Sequence, residues 1–292
     1  MPVREIMTAY VVTTREDVSI VAAATRMVAQ NISCLIVIDD AQQPIGIITE
    51  RDFVTKVPMD SSALGLRVRD VMTRKAVTIR PEETVECAFR LLAEHHIRKI
   101  VVVGADGKLA GVVTQTDLVK LALKLFTHFA GERLLVKDWM TKKVITIPTN
   151  ASFALAKQKM KAADIGAMAL TEKGAYVGIF TEFDVVAQFY DQDGILSIKS
   201  PREIMRPHLK CVSADTPVFL ANRIMLEMKV RRLLALDGPQ VAGIITQTDI
   251  AHAIFSLSLS MRAEEPKLCA PVERAAPITS EFVTEHLKRF FV

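Results

Sequence analysis

The chain has 292 residues, half of them hydrophobic and 24% charged, with only 12 glycines and 12 prolines, which excludes disordered, collagenous and low-complexity classes. At roughly 100 to 200 residues per domain, that length predicts two or three domains with ample core. Basic residues number 37 and acidic ones 33, and the resulting net charge of +4 is far from the dense basic stripe of a general nucleic-acid binder, so nucleic acid is not an expected partner.

The N-terminal stretch Met1 to Tyr10 lacks the apolar run of a signal peptide. No apolar run reaches the roughly 18 residues of a membrane helix, so a cytoplasmic protein without membrane contact is expected. The cysteines Cys34, Cys87, Cys211 and Cys269 form no CxxC pair and have no His at ligand spacing, so they read as reduced thiols rather than a metal or redox site.

From there the chain repeats itself four times. The first unit ends in Gly46-Ile47-Ile48-Thr49-Glu50-Arg51-Asp52, and the same pattern returns with Thr114 and Asp117, Thr181 and Asp184, and Thr246 and Asp249. The aspartates are 65, 67 and 65 residues apart. A second marker, an apolar residue then Met, opens each unit at Ile6-Met7, Val71-Met72, Trp139-Met140 and Ile204-Met205, spaced 65, 68 and 65. Trp139 therefore reads as core filler.

Within a unit the periodicities predict, in order, a short strand such as Val77-Thr78-Ile79 and a helix with apolar positions Val85, Ala88, Phe89 and Leu92. Two buried strands follow, exemplified by Leu35 to Ile38 and Ile45 to Ile48, with turn chemistry at Asp39-Asp40, Asp106-Gly107, Gly174 and Asp237-Gly238. A second helix begins at the motif Thr. The fold class predicted is mixed α/β (α+β), four tandem β-α-β-β-α units at residues 3–57, 68–122, 136–189 and 201–255. Each is too small to bury both sheet faces alone, so the units pair as one with two and three with four, with a boundary near residues 123–135. The tail, 256–292, reads as a loop to Pro277 and then an amphipathic helix from about Thr279. Its apolar stripe of Phe282, Val283, Leu287, Phe290 and Phe291 is expected to dock on its own units, a second copy or a partner.

The units alternate in kind. Two and four share Thr-Gln-Thr-Asp and carry the basic pairs Arg98-Lys99 and Arg231-Arg232 before a strand, with Arg90 and Arg223 eight residues earlier. One and three have Glu after the Thr and neutral residues, Ser33-Cys34 and Gly166-Ala167, in place of the basic pair.

All four units, over about residues 3 to 255, resemble CBS domains, named after cystathionine β-synthase, which work in pairs called Bateman modules. The resemblance implies clefts between paired units, in which the motif Asp (Asp52, Asp117, Asp184, Asp249) holds the ribose hydroxyls of an adenine nucleotide and the Thr (Thr49, Thr114, Thr181, Thr246) assists. The positions of Arg98, Lys99, Arg231 and Arg232 are similar to a basic pair that contacts phosphate in the γ subunit of AMP-activated protein kinase, which likewise has four such domains. Where the family often has Pro after this pair, the sequence has Val101 and Leu234.

Each of these residues has a plainer reading. Thr-x-x-Asp is also a capping-box pattern. Capping boxes ordinarily use Glu or Gln, however, and four Asp in four copies favour a ligand role, because a carboxylate accepts both hydrogens of a ribose diol. A basic pair is by default a solvated strand end. Recurrence beside an apolar strand in the even units alone favours a phosphate, which an Arg fork fits with two parallel bonds. The six histidines, His95 and His96 among them, form no triad or metal signature, and no phosphate loop, nucleophile elbow or paired catalytic acids appear. The expectation is therefore a non-enzymatic regulator that binds AMP, ADP or ATP without a metal and reports to a protein partner, as a four-unit disc or as a homodimer. The alternatives are a sensor of S-adenosylmethionine or another adenosyl ligand, and a structural adaptor with empty clefts.

Overall fold

Alternating apolar runs and turn residues build the same unit four times in the computed structural model, which describes residues 1–126, 134–189, 200–207 and 209–260. Unit one consists of β1 (Thr13–Thr14), α1 (Ile20–Ala29), the hairpin β2 (Cys34–Ile38) and β3 (Pro44–Thr49), and α2 (Glu50–Thr55). Ser19 starts α1 by accepting the Ala22 N–H at 3.1 Å, and the helix buries Ile20, Ala23, Ala24 and Met27 on one face. In unit two come α3 (Val68–Val71), β4 (Thr73–Arg74), β5 (Thr78–Ile79), α4 (Val85–Glu94), β6 (Lys99–Val103), β7 (Leu109–Thr114) and α5 (Gln115–Phe126). Unit three has α6 (Val136–Trp139), β8 (Thr146–Pro148), α7 (Phe153–Ala162), β9 (Ala167–Glu172), β10 (Ala175–Thr181) and α8 (Glu182–Ala187). Unit four has α9 (Pro201–Ile204), β11 (Arg206–Pro207), β12 (Cys211–Ser213), α10 (Val218–Glu227), β13 (Arg232–Asp237), β14 (Gln240–Thr246) and α11 (Gln247–Ser260).

Each opening strand pairs parallel to the first hairpin strand, as β1 does with β2 and β12 with β13, and the hairpin itself is antiparallel. Gly107, Gly174 and Gly238 take positive φ at the hairpin tips, a conformation in which a side chain is strained. The last helix runs to Ser260, past the expected loop start at 256, and the expected tail helix lies outside the described residues. Cys34 and Cys211 are free thiols as expected, whereas Cys87 is disulfide-bonded, which corrects that expectation.

Pairing is tighter than stacking of finished units, because each pair exchanges its openings. Strand β4 of unit two adds to the sheet of unit one beside β3, and β11 of unit four adds beside β10 of unit three. In return, Thr8 of unit one exchanges backbone hydrogen bonds of 2.9 and 3.0 Å with Val112 of unit two, and Thr141 does the same with Ile244 of unit four. The Val68 N–H likewise donates to Val18 O at 2.8 Å, and the Val3 N–H to Glu83 O at 2.8 Å. The motif glycine makes this possible. A Cβ on Gly111 would stand 2.8 Å from Thr8 O and 3.0 Å from Met7 Sδ; Gly46 meets Thr73 and Met72 in the same way, and Gly243 meets Thr141 and Met140. The two sequence markers are thus the two halves of one contact.

The four units close a ring. Sheets of units one and two pack through Ile36, Ile38 and Ile47 against Val101 and Val112. Units one and three share one core, in which Phe53 and Phe189 lie 5.7 Å apart. Units two and four meet through α5 against α10 and α11, where the fully buried Asn222 donates to Val119 O at 3.0 Å. Phe89 packs against the cores of both units, stacked on Phe255 at 5.9 Å. Trp139 packs against the core of unit four.

Gly111→Ala should lower unfolding stability by about 1 to 3 kcal/mol, because the new methyl meets a backbone carbonyl that cannot rotate away. Chemical denaturation measures this, and an unchanged midpoint would separate the glycine from the exchanged contact.

Candidate functional site

The motif Thr ends the second hairpin strand and the helix begins one residue later, so Thr and Asp face each other across the first turn. In all four units the Asp Oδ2 accepts both the Thr N–H and the Thr hydroxyl, at 2.7 to 2.9 Å. Asp therefore does form the capping box, and its shorter side chain is no obstacle; the choice of Asp over Glu does not by itself point to a ligand.

The second oxygen distinguishes the copies. Asp52 is 5% exposed, and its Oδ1 forms an ion pair with Lys56 at 2.7 Å and accepts from Thr73 at 3.4 Å. Asp184 is buried to the same degree. Asp117 is half-buried, and among the described residues nothing donates to its Oδ1. It lines a central cavity of about 930 Å³, together with Thr114 and the unit-one residues Tyr10, Ser33 and Cys34. On the opposite side the wall comes from Thr246, Gln247 and Thr248 with Lys143, Gly166 and Ala167. Burial pushes the Asp249 carboxyl up despite its bonds to Thr246.

The even-unit motifs touch each other at this cavity. The Thr116 hydroxyl donates to Gln247 Oε1 at 2.8 Å, and the Thr248 hydroxyl donates to Gln115 Oε1 at 2.9 Å. This reciprocal pair joins the first turns of α5 and α11 and explains why units two and four share Thr-Gln-Thr.

The basic pairs divide. Arg98 forms an ion pair with Glu182 of unit three at 2.7 Å, and Arg231 with Glu50 of unit one at 2.9 Å, so both bonds cross the ring. Glu182 is 1% exposed and also meets Arg51 at 2.6 Å; Glu50 is 3% exposed. Burial works against the charge of Glu182, but Arg98 and Arg51 override it and hold its carboxyl below the usual carboxylate range. Burial likewise disfavours the Arg98 guanidinium, and Glu182 reverses the sign. Arg98 and Arg231, expected at a phosphate, each meet a carboxylate that the sequence analysis did not single out. The signal was the alternation itself, since Glu follows the Thr in the two units that lack a basic pair.

Lys99 and Arg232, the other members, have no ion pair among the described residues. Arg232 donates to Gly166 O at 3.2 Å. Burial pushes Lys99 down, and burial with the adjacent Arg231 pushes Arg232 down to about 10. Arg90 and Arg223 stand 3.9 Å from Glu94 and Glu227 on their own helices. Among the described residues no cluster of His, Cys, Asp or Glu is placed to hold a metal, and no helix is long and apolar enough to cross a membrane.

Removing one partner of a buried pair strands the other's charge. Glu182→Ala should cost about 3 to 5 kcal/mol in a denaturation experiment, while Lys137→Ala, which loses an exposed pair with Asp215, should leave the midpoint nearly unchanged. Equal costs would remove the cross-ring pair from the forces holding the ring.

The comparisons agree with the geometry. Protein MJ1225 of Methanocaldococcus jannaschii is 29% identical over 197 residues, which cover 64% of this chain and 70% of the relative. Protein MJ1404 of the same organism is 28% identical over 271 residues, 88% of this chain and 62% of the relative. The crystal structure of MJ1225, described as a proposed archaeal homologue of γ-AMPK, superposes with a TM-score of 0.77 over 87% of this chain and 99% of that one, at 18% identity in the superposition. A conserved protein of Pyrococcus horikoshii superposes at 0.58, also over 87% of the chain and at 18% identity. These structural likenesses show the fold. The CBS domain family matches residues 3–58, 68–124, 136–191 and 202–256, and the chain belongs to that family with four CBS domains.

Proposed function

We propose that the chain is a non-enzymatic regulatory protein that binds adenine nucleotides in the two clefts opening on the central cavity and passes occupancy to a protein partner. The observation that carries this reading is Asp117. One carboxylate oxygen caps α5, the other has no donor among the described residues, and Asp117 lines a cavity of about 930 Å³, large enough for a nucleotide. A ribose diol supplies the two donors that this oxygen lacks. Asp249 is the repeat-related acceptor for the second cleft, with Thr114 and Thr246 beside the two aspartates. Lys99 and Arg232, rather than Arg98 and Arg231, are the groups left for phosphate. Asp52 and Asp184 serve the fold, since Asp52 is fully engaged by Thr49, Lys56 and Thr73.

Occupancy reaches a partner only if the ligand prefers one arrangement of the units over another. The route begins at Asp117, one residue from the Thr116–Gln247 bond that ties α5 to α11. A nucleotide drawing on Asp117 thus acts on the seam between units two and four.

Asp117→Ala should weaken adenosine binding by about 1.5 to 3 kcal/mol in calorimetry, the loss expected for hydrogen bonds to a charged acceptor. The same substitution also removes a helix cap, so Asp52→Ala is its control: it loses an equivalent cap and should lower the melting temperature with nucleotide affinity intact. If both variants lose affinity equally, the cleft assignment is wrong.

A further inference from the structure

The charges at the ring centre balance almost completely. Arg51 meets Asp164 and Glu182, Arg98 meets Glu182, and Arg231 meets Glu50. What remains is Lys99 on the side of units one and two and Arg232 on the side of units three and four. In each pair the first residue precedes the strand and is held by a carboxylate from across the ring, while the second opens the strand and has no ion pair among the described residues. The other lysines of the cavity wall, Lys120, Lys143 and Lys229, are solvent-exposed, where water and salt screen them. Burial weakens the charged form of both Lys99 and Arg232, a condition that one nearby anion relieves.

We infer that Glu50 and Glu182 set the charge of the ligand: by occupying Arg231 and Arg98 they leave one half-buried cation per cleft, so the cavity selects an adenosyl ligand with a single phosphate over a polyphosphate. This rests on the nucleotide reading above. A monophosphate carries a charge of about −1.5 to −2 at neutral pH and finds one cation on its own side. A triphosphate has to extend further, toward Arg98 and Arg231, which are already neutralised by Glu182 and Glu50, and Glu50 itself lines the cavity and repels its outer oxygens. Both carboxylates are nearly inaccessible, so they cannot swing out to solvent to make room.

The test is calorimetry on the full chain with adenosine, AMP and ATP, without divalent cations. Wild type should bind AMP at least about tenfold tighter than ATP. Glu50→Gln and Glu182→Gln keep the shape and remove the charge, and each should shift the AMP-to-ATP ratio toward ATP by about tenfold while adenosine binding stays constant. Lys99→Met, which removes an unpaired cation without stranding a partner, should lower AMP affinity about tenfold toward that of adenosine. Melting curves report whether each variant is folded. ATP binding as tightly as AMP in wild type, or a ratio unmoved in folded Gln variants, would overturn the inference while adenosine binding left the nucleotide reading standing. Failure of all three ligands to bind would overturn both.

Discussion

A glycine without a side chain and a methionine from the neighbouring unit hold this architecture together. Gly46, Gly111 and Gly243 each leave room for a Met and the carbonyl of the residue after it, delivered from the paired unit. Because the opening segment of every unit finishes the sheet of its partner, one unit alone would leave a sheet edge open and an apolar segment uncovered. Exchange makes the pair the smallest structure that satisfies its backbone, and the two pairs then close a ring through the shared core of units one and three and the α5 to α11 seam. The cavity follows from this: Thr8 and Thr141 of the exchanged openings line it together with the motif threonines Thr114 and Thr246 of their partners.

Much of this was legible from residues alone. The fourfold period, the hairpins and the pairing of one with two and three with four come from two markers recurring at one spacing, and a marker that recurs reports a contact that recurs. What the sequence could not show is which unit a marker touches, because exchange and self-contact have the same spacing. The same blindness hid the partners of the basic pairs. Arg98 and Arg231 recur beside an apolar strand and require an anion, but Glu182 and Glu50, which supply it, lie 84 and 181 residues away in sequence. Only the ring brings them together. Asp in place of Glu carries no ligand signal by itself, since all four aspartates cap their helices with one oxygen and differ in burial and in what the other oxygen meets.

Specialisation among the four copies can therefore be read atom by atom. Odd units bury their aspartates and contribute the buried glutamates, while even units contribute arginines to those glutamates, and Asp117 lines the central cavity. The reciprocal bonds of Thr116 with Gln247 and of Thr248 with Gln115 hold the two central clefts in a fixed relation, so a change at one is mechanically close to the other. The seam on which the assembly of units two and four depends therefore lies at the wall of the central cavity.

A crystal structure of the chain grown with AMP tests the central claim most directly. The ribose hydroxyls should lie on Asp117 Oδ1, with the phosphate toward Lys99 and the Arg98 to Glu182 pair still closed. A nucleotide bound elsewhere, or clefts empty at saturating ligand, would contradict it.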